Sequence, residues 1–212
     1  DIMANLTDLT SKEFLTELAS AAPAPGGGGG AAMAGALAAA LSSMVCNLTL
    51  GKEKFAAQEA EVQAVLMKAE RARERLLELV QEDAAVFNSF MSCYKLPKAT
   101  DEEKAVRTAA IRAAAKKAAE VPLAIARESF AVLELADELV VCGNPGVITD
   151  GACSGLLARA ALRCAEYNVR INLGLTKDAE WNAQVQAELE AMLTQAEALE
   201  AKLLAVTDKA LA

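Results

Sequence analysis

The sequence predicts an all-α protein, an up-and-down bundle of long helices, from three observations. Hydrophobic residues make up 54% of the chain and aromatics only 4%. That alanine-rich, aliphatic mix suits closely packed helices and is poor in the β-branched and aromatic residues that strands prefer. Apolar residues recur at three- and four-residue steps over long segments, which is the helical period. Capping boxes and turn signals punctuate those segments closely enough that neighbours should run antiparallel through short loops. With 212 residues, the chain is sized for one domain, 1–212.

The elements follow in order. Asp1-Ile2 precede Met3-Ala4 and are set aside. Thr10 with Glu13 forms a capping box, with Leu9 and Phe14 placed as its hydrophobic staple, opening a helix that should end near Ser20. Ala22-Pro-Ala-Pro-Gly26 through Gly30 should not be helical, because each glycine costs roughly 1 kcal/mol and each proline about 3 in a helix interior. No charged residue occurs from Leu18 to Gly51. Ala31 to Leu50 has membrane-spanning length, yet alanine contributes little transfer energy and flanking aromatics are missing, so it reads as a central core helix.

A long amphipathic helix is expected from about Glu53 to Cys93. Its stripe is Val62, Val65, Ala69, Ala72, Leu76, Leu79/Val80, Asp83, Phe87 and Phe90. Lys95 to Thr100 is a loop. Thr100 with Glu103 caps a helix that reaches Pro122 and continues, kinked or restarted, towards Leu139. Gly143-Asn-Pro-Gly146 is a turn, after which Thr149 or Asp150 can cap the next helix. The last helix begins near Asp178 and carries Val185, Leu189, Leu193, Ala196, Leu199, Leu203 and Val206.

Composition also excludes chemistries. A net charge of −8 argues for solubility and against a nucleic-acid partner. Five cysteines, none in a CxxC pair, read as reduced, buried thiols of a cytoplasmic protein, and no metal site is expected. The chain has no histidine. Serine-histidine and cysteine-histidine catalysis are therefore ruled out within one chain. Proton transfer falls to carboxylates, lysines, tyrosines or thiols.

Candidate site residues stand out against that background. The glycine run is either a flexible linker or, opening directly into a helix between stiffening prolines, a set of backbone N–H groups for an anion or carbonyl; the second reading is preferred. Asp83 interrupts an apolar stripe, and burial would raise its pKa towards the range of a general base. The alternative, a carboxylate held by hydrogen bonds from a neighbouring helix, stands beside that reading. Asp150 reads by default as a helix cap and Asn144 as a turn residue. Asn168 and Asn172, four apart, would share a helical face. Lys104, Arg107, Arg112, Lys116 and Lys117 form a stretch free of acids that can attract an anionic tail.

The block Pro25-Gly-Gly-Gly-Gly-Gly30-Ala-Ala-Met-Ala-Gly35, continuing through Met44-Val45 and Leu48-Thr49-Leu-Gly51-Lys52, resembles the signature of the formiminotransferase-cyclodeaminase family, cyclodeaminase domain. Glu82-Asp83-Ala84, Val121-Pro122, Gly143-Asn144, Thr149-Asp150 and Asn168-Val-Arg-Ile-Asn172 fall in the family's order. The similarity runs from about Leu9 onward. Gly29 stands where the family usually has serine, so no hydroxyl contact is carried over.

The resemblance implies an all-helical homodimer of the cyclodeaminase type with a folate pocket and a Gly-rich loop. The implied reaction cyclises 5-formimino-tetrahydrofolate to 5,10-methenyl-tetrahydrofolate with release of ammonia. Methenyltetrahydrofolate cyclohydrolase chemistry in the same pocket is the close rival, and a non-enzymatic helical scaffold the distant one. No cofactor beyond the tetrahydrofolate substrate, polyglutamylated or not, and no membrane partner is implied. Asp83 would transfer protons. Asp150 would be the second carboxylate or hold the pterin. Gly26, Gly27, Gly28 and Gly29 would present backbone N–H groups to the substrate, Lys52 would meet its glutamate tail, and Asn144, Asn168 and Asn172 would complete the binding set.

Overall fold

The computed structural model describes residues 5–212, and Asp1 and Ile2 lie outside them. Six α-helices follow in order: α1 (Ser11–Leu18), α2 (Gly26–Asn47), α3 (Glu59–Cys93), α4 (Asp101–Cys142), α5 (Ile148–Thr176) and α6 (Ala179–Leu211). Single 3-10 segments at Leu6–Asp8, Glu53–Gln58 and Pro145–Val147 fill connections. No strand occurs among the described residues. Both expected capping boxes are made, Thr10 with Glu13 on α1 and Thr100 with Glu103 on α4. Asp178 caps α6 by accepting from the Trp181 N–H.

The glycine run is helical, against expectation: there is no glycine-rich loop, because α2 begins at Gly26 itself. Packing overrides propensity here. A methyl carbon on Gly28 would lie 2.6 Å from the Asp83 carboxyl carbon, and one on Gly29 would lie 2.8 Å from Pro25 Cβ. Only glycine lets the start of α2 approach its neighbours so closely, and the buried contact offsets the roughly 1 kcal/mol that glycine costs in a helix. Gly26 has φ 57, the left-handed region in which the chain leaves Pro25 and enters the helix.

α4 continues through Pro122, as expected, and does so as one helix rather than a restarted one. Proline lacks the N–H that would bond the carbonyl four residues back, that of Ala118. Asn172 on α5 supplies the substitute, its Nδ2 donating to Ala118 O at 3.3 Å. Neither Thr149 nor Asp150 caps α5, since the helix starts at Ile148. The turn Pro145–Val147 feeds straight into it, held by Asn144, which accepts from the Gly146 N–H.

α2 lies at the centre, against α3, α4 and α5, while α6 packs on α4 and α5. By length and composition α2 is the one helix among the described residues able to cross a membrane; here Ala32, Ala38, Ala39 and Cys46 on it are fully buried. Its register against α5 is antiparallel. Ser154 Oγ donates to Ala38 O at 2.7 Å and meets Ser42 Oγ at 2.8 Å, while Gly27 faces Asn168. α3 is antiparallel to α2 as well, with Asp83 at Gly28 and Leu76 at Gly35. The start of α2 thus meets the later halves of α3 and α5 at one end of the bundle. At the other end Val45, Cys46, Val62, Val65, Leu139 and Cys142 form a separate apolar cluster.

Candidate active site

Where the start of α2 meets α3, α4 and α5 there is a cleft of about 290 Å³. Asp83, Val86, Phe87 and Phe90 come from α3, Ala118 and Pro122 from α4, and Asn168, Ile171, Asn172 and Leu175 from α5. Each side chain arrives by helical spacing. Asp83, Phe87 and Phe90 continue the stripe that buries Leu76 and Leu79, and Asn168 and Asn172 are one turn apart.

Asp83 is half-buried, and burial pushes its carboxyl up to about 6, with the Gly29 N–H pulling weakly the other way. It is the only titratable group in the cleft lining. Its carboxylate rests against Gly28, so the helix N-terminus expected to hold substrate already faces a carboxylate of the chain itself. The Gly29 N–H also donates within the chain, to Pro25 O at 3.0 Å. Gly27 is exposed and open towards Asn168, whose amide would lie 3.6–3.7 Å from a methyl there.

The two asparagines are oriented by backbone carbonyls. Asn168 Nδ2 donates to Cys164 O at 2.8 Å, and Asn172 Nδ2 donates to Asn168 O at 2.9 Å besides Ala118 O. With both nitrogens engaged as donors, the side-chain oxygens remain as acceptors. The cleft therefore combines a carboxylate of raised pKa, amide acceptors and an apolar wall. Such a site can hold a flat ligand that donates hydrogen bonds and can exchange a proton with it near neutral pH.

The remaining sequence candidates lie elsewhere. Asn144 sits at the opposite end of the bundle, its Nδ2 donating to Leu48 O at 3.0 Å and its backbone N–H donating to Thr49 Oγ1 at 2.9 Å. Lys52 follows the end of α2, and Asp150 lies in the first turn of α5. Asp150 and Asn168 share one face of α5 but are separated by five turns, about 27 Å. Sequence reasoning missed Val86, Ala118, Ile171 and Leu175 as cleft walls. Pro122 was readable only as a break, although its orphaned carbonyl partner anchors Asn172. A larger groove of about 480 Å³ between α5 and α6 carries Arg163 and Arg170, both paired to Glu166 at 2.9 and 3.3 Å. Arg159 there pairs with Glu200 at 3.1 Å, while Glu190 and Glu197 make no ion pair among the described residues.

Fold and cleft together describe a helical-bundle protein whose largely apolar cleft holds one raised carboxyl, two asparagines and no histidine. The sequence profile of the formiminotransferase-cyclodeaminase family matches residues 10–191, and the chain belongs to that family. It is 45% identical over 190 residues to a methenyltetrahydrofolate cyclohydrolase of Methylorubrum extorquens, covering 90% of this chain and 91% of that protein. It is 33% identical over 185 residues to the formimidoyltransferase-cyclodeaminase of Sus scrofa, covering 87% of this chain but only 34% of that longer protein. The crystal structure of formiminotetrahydrofolate cyclodeaminase from Thermotoga maritima superposes with a TM-score of 0.88 at 28% identity, over 98% of this chain and 100% of that one.

Proposed function

We propose that this chain is a folate-dependent one-carbon enzyme that cyclises 5-formimino-tetrahydrofolate to 5,10-methenyl-tetrahydrofolate, releasing ammonia. The observation that carries the reading is Asp83, a carboxylate raised to about 6 in a largely apolar cleft. N10 of the folate attacks the formimino carbon, and its proton passes to Asp83. The tetrahedral carbon then expels the amine, which takes a proton and leaves as ammonia, forming the methenyl bridge. A group that titrates near neutrality can accept the first proton and return it, a contribution typically worth about 10²–10⁴-fold. The acceptor oxygens of Asn168 and Asn172 suit the N–H groups of a pterin ring.

A second reading, methenyltetrahydrofolate cyclohydrolase, is favoured by the 45% identity to a relative of similar length with that name. Water then adds to the same carbon, and the same base takes its proton. Following methenyl-tetrahydrofolate absorbance with each substrate separates the two. Absorbance that rises from the formimino substrate supports the first. Absorbance that falls from the methenyl substrate, with no formimino turnover, replaces it with the second. No change with either folate sinks both.

Three finer statements belong to the same reading. No cofactor beyond the folate is needed, because both reactions are proton and group transfers. A glutamate tail would be met by the basic stretch of α4, where Arg112 and Lys117 make no ion pair among the described residues. The working form is a cytoplasmic homodimer, in keeping with five free cysteines and with exposed apolar residues such as Leu37, Met44, Leu156 and Ile171.

A further inference from the structure

Two phenylalanines of α3 line the cleft, and they are placed differently. Phe90 is buried and its ring is already engaged, edge-on to Tyr94 with centroids 5.3 Å apart at 85°. The Arg107 guanidinium lies over the Tyr94 ring at 5.4 Å, so that set is complete within the chain. Phe87 is 38% exposed, and its ring makes no aromatic or cation contact among the described residues. An exposed apolar side chain is ordinary on a convex surface. This one stands in a concave cleft, one turn from the single carboxylate there, with Ile171 and Leu175 of α5 lining the other side.

The cleft is graded along its length. α3 and α5 both run antiparallel to α2, hence parallel to each other. Asp83 and Asn168 lie at the level of Gly28 and Gly27. Phe87 is one turn further on, level with Ile171 and Asn172, and Phe90 and Leu175 are about a turn beyond. α4 runs the other way, since Ala118 meets Asn172 while Lys116 meets Asp178. Its basic stretch therefore continues past Ala118 towards the open end of the cleft. Outward from its floor the cleft presents a carboxylate, then an uncovered phenyl face, then positive charge. The folate of the reading above carries its groups in that same order: the reacting carbon with N10, the p-aminobenzoyl ring bonded to N10, and the anionic tail. A para-substituted benzene ring spans about one helical turn, roughly 5.4 Å.

We infer that Phe87 is the platform on which the p-aminobenzoyl ring lies, with Ile171 on its other side, and that Phe87 thereby positions N10 against Asp83. Offset stacking or edge contact between two such rings adds to the burial of apolar surface. N10 is bonded directly to the held ring, so a loose ring means a loose nucleophile, and alignment of the reacting atoms is lost with it. In the hydrolytic reading the carbon under attack is also bonded to N10, and the same ring must be held. The inference rests on the folate reading and names the residue that fixes its reacting nitrogen.

Phe87→Leu and Phe87→Tyr test it, with 5-formyl-tetrahydrofolate as the unreactive probe. Because Phe87 is half-exposed, both variants should melt close to wild type. Calorimetry should find the probe bound about 3- to 10-fold more weakly by Phe87→Leu, the range of one lost ring contact, and within about 2-fold of wild type by Phe87→Tyr. Turnover of the active folate should lose kcat as well as gain KM in Phe87→Leu, and Phe87→Tyr should restore both. Unchanged affinity in Phe87→Leu, or a kcat loss that Phe87→Tyr does not restore, overturns the platform.

Proton spectra of the bound probe identify which ring lies there. The p-aminobenzoyl doublets should shift upfield on binding to wild type, from the ring current of the phenyl face. Phe87→Leu should abolish that shift and Phe87→Tyr keep it. A shift that follows Phe87 on the methylene protons of the pterin instead would put the pterin on Phe87 and overturn the assignment. A folate bound and turned over equally by wild type and Phe87→Leu leaves the functional reading standing and removes the platform. A wild-type protein that binds no folate removes both.

Discussion

Asp83 and Gly28 are a pair, since the carboxylate reaches the start of α2 only because residue 28 has no side chain. Gly28→Ala would press a methyl into that carboxylate, and overpacking of this kind typically costs about 1–3 kcal/mol. Activity should fall with it, whereas Gly27→Ala should keep both stability and turnover, since its methyl meets only ordinary contacts with Asn168. Thermal melts and initial rates on the two variants check the contrast. Asp83→Asn should lower kcat by roughly 10²-fold or more with folate binding largely kept. The wild-type rate should fall as pH drops through about 6, where the base takes up its proton, and the variant should lack that limb. The stability sign follows the same shift. A carboxyl held above its ordinary 3.8 favours the fold when protonated, so that contribution is complete below 3.8 and gone above about 6. Urea titrations should therefore find Asp83→Asn the more stable protein at pH 7, by on the order of 1 kcal/mol, and the two alike near pH 4.

At the scale of elements, helix ends marked by a capping side chain were legible, whereas the uncapped starts of α2 and α5 were not. Both capping boxes and the Asp178 cap depend on side chains bonding backbone within three residues, and such interactions are written locally. Pro122 and the glycine run look like breaks by the same local logic, yet each lies inside a helix because another helix compensates. Asn172 bonds the carbonyl that Pro122 orphans, so Asn172→Leu should cost about 1–3 kcal/mol, the penalty of a buried unsatisfied group. Asn172→Asp, which cannot donate, should cost at least as much; chemical denaturation with intact helicity at zero denaturant measures both. Lys177 closes α5 with φ 55, a left-handed position occupied by a non-glycine residue. Lys177→Gly should raise the melting free energy by about 1 kcal/mol without altering kinetics.

At the scale of the molecule, the exposed apolar residues of α2 and α5 call for a cover. Sedimentation should show a dimer at micromolar concentration that persists at high salt, since those side chains are apolar rather than ionic. A monomer at all concentrations would leave Leu37, Met44 and Ile171 in water and contradict the assembly.

The sequence by itself determined the helical class, the element order, most boundaries and the residues of interest, because periodicity, caps and composition are local properties. It singled out Asp83 as anomalous for the same reason: one carboxylate in an apolar stripe is visible without coordinates. Tertiary structure alone decided which candidates meet. Asp83, Gly28, Asn168 and Asn172 come together because α2 runs antiparallel to both α3 and α5, while Lys52, Asn144 and Asp150 fall at the far end by that same reversal. Proximity between residues scores of positions apart depends on helix direction and register, and those are set by which faces pack, a property of the whole chain rather than of any segment.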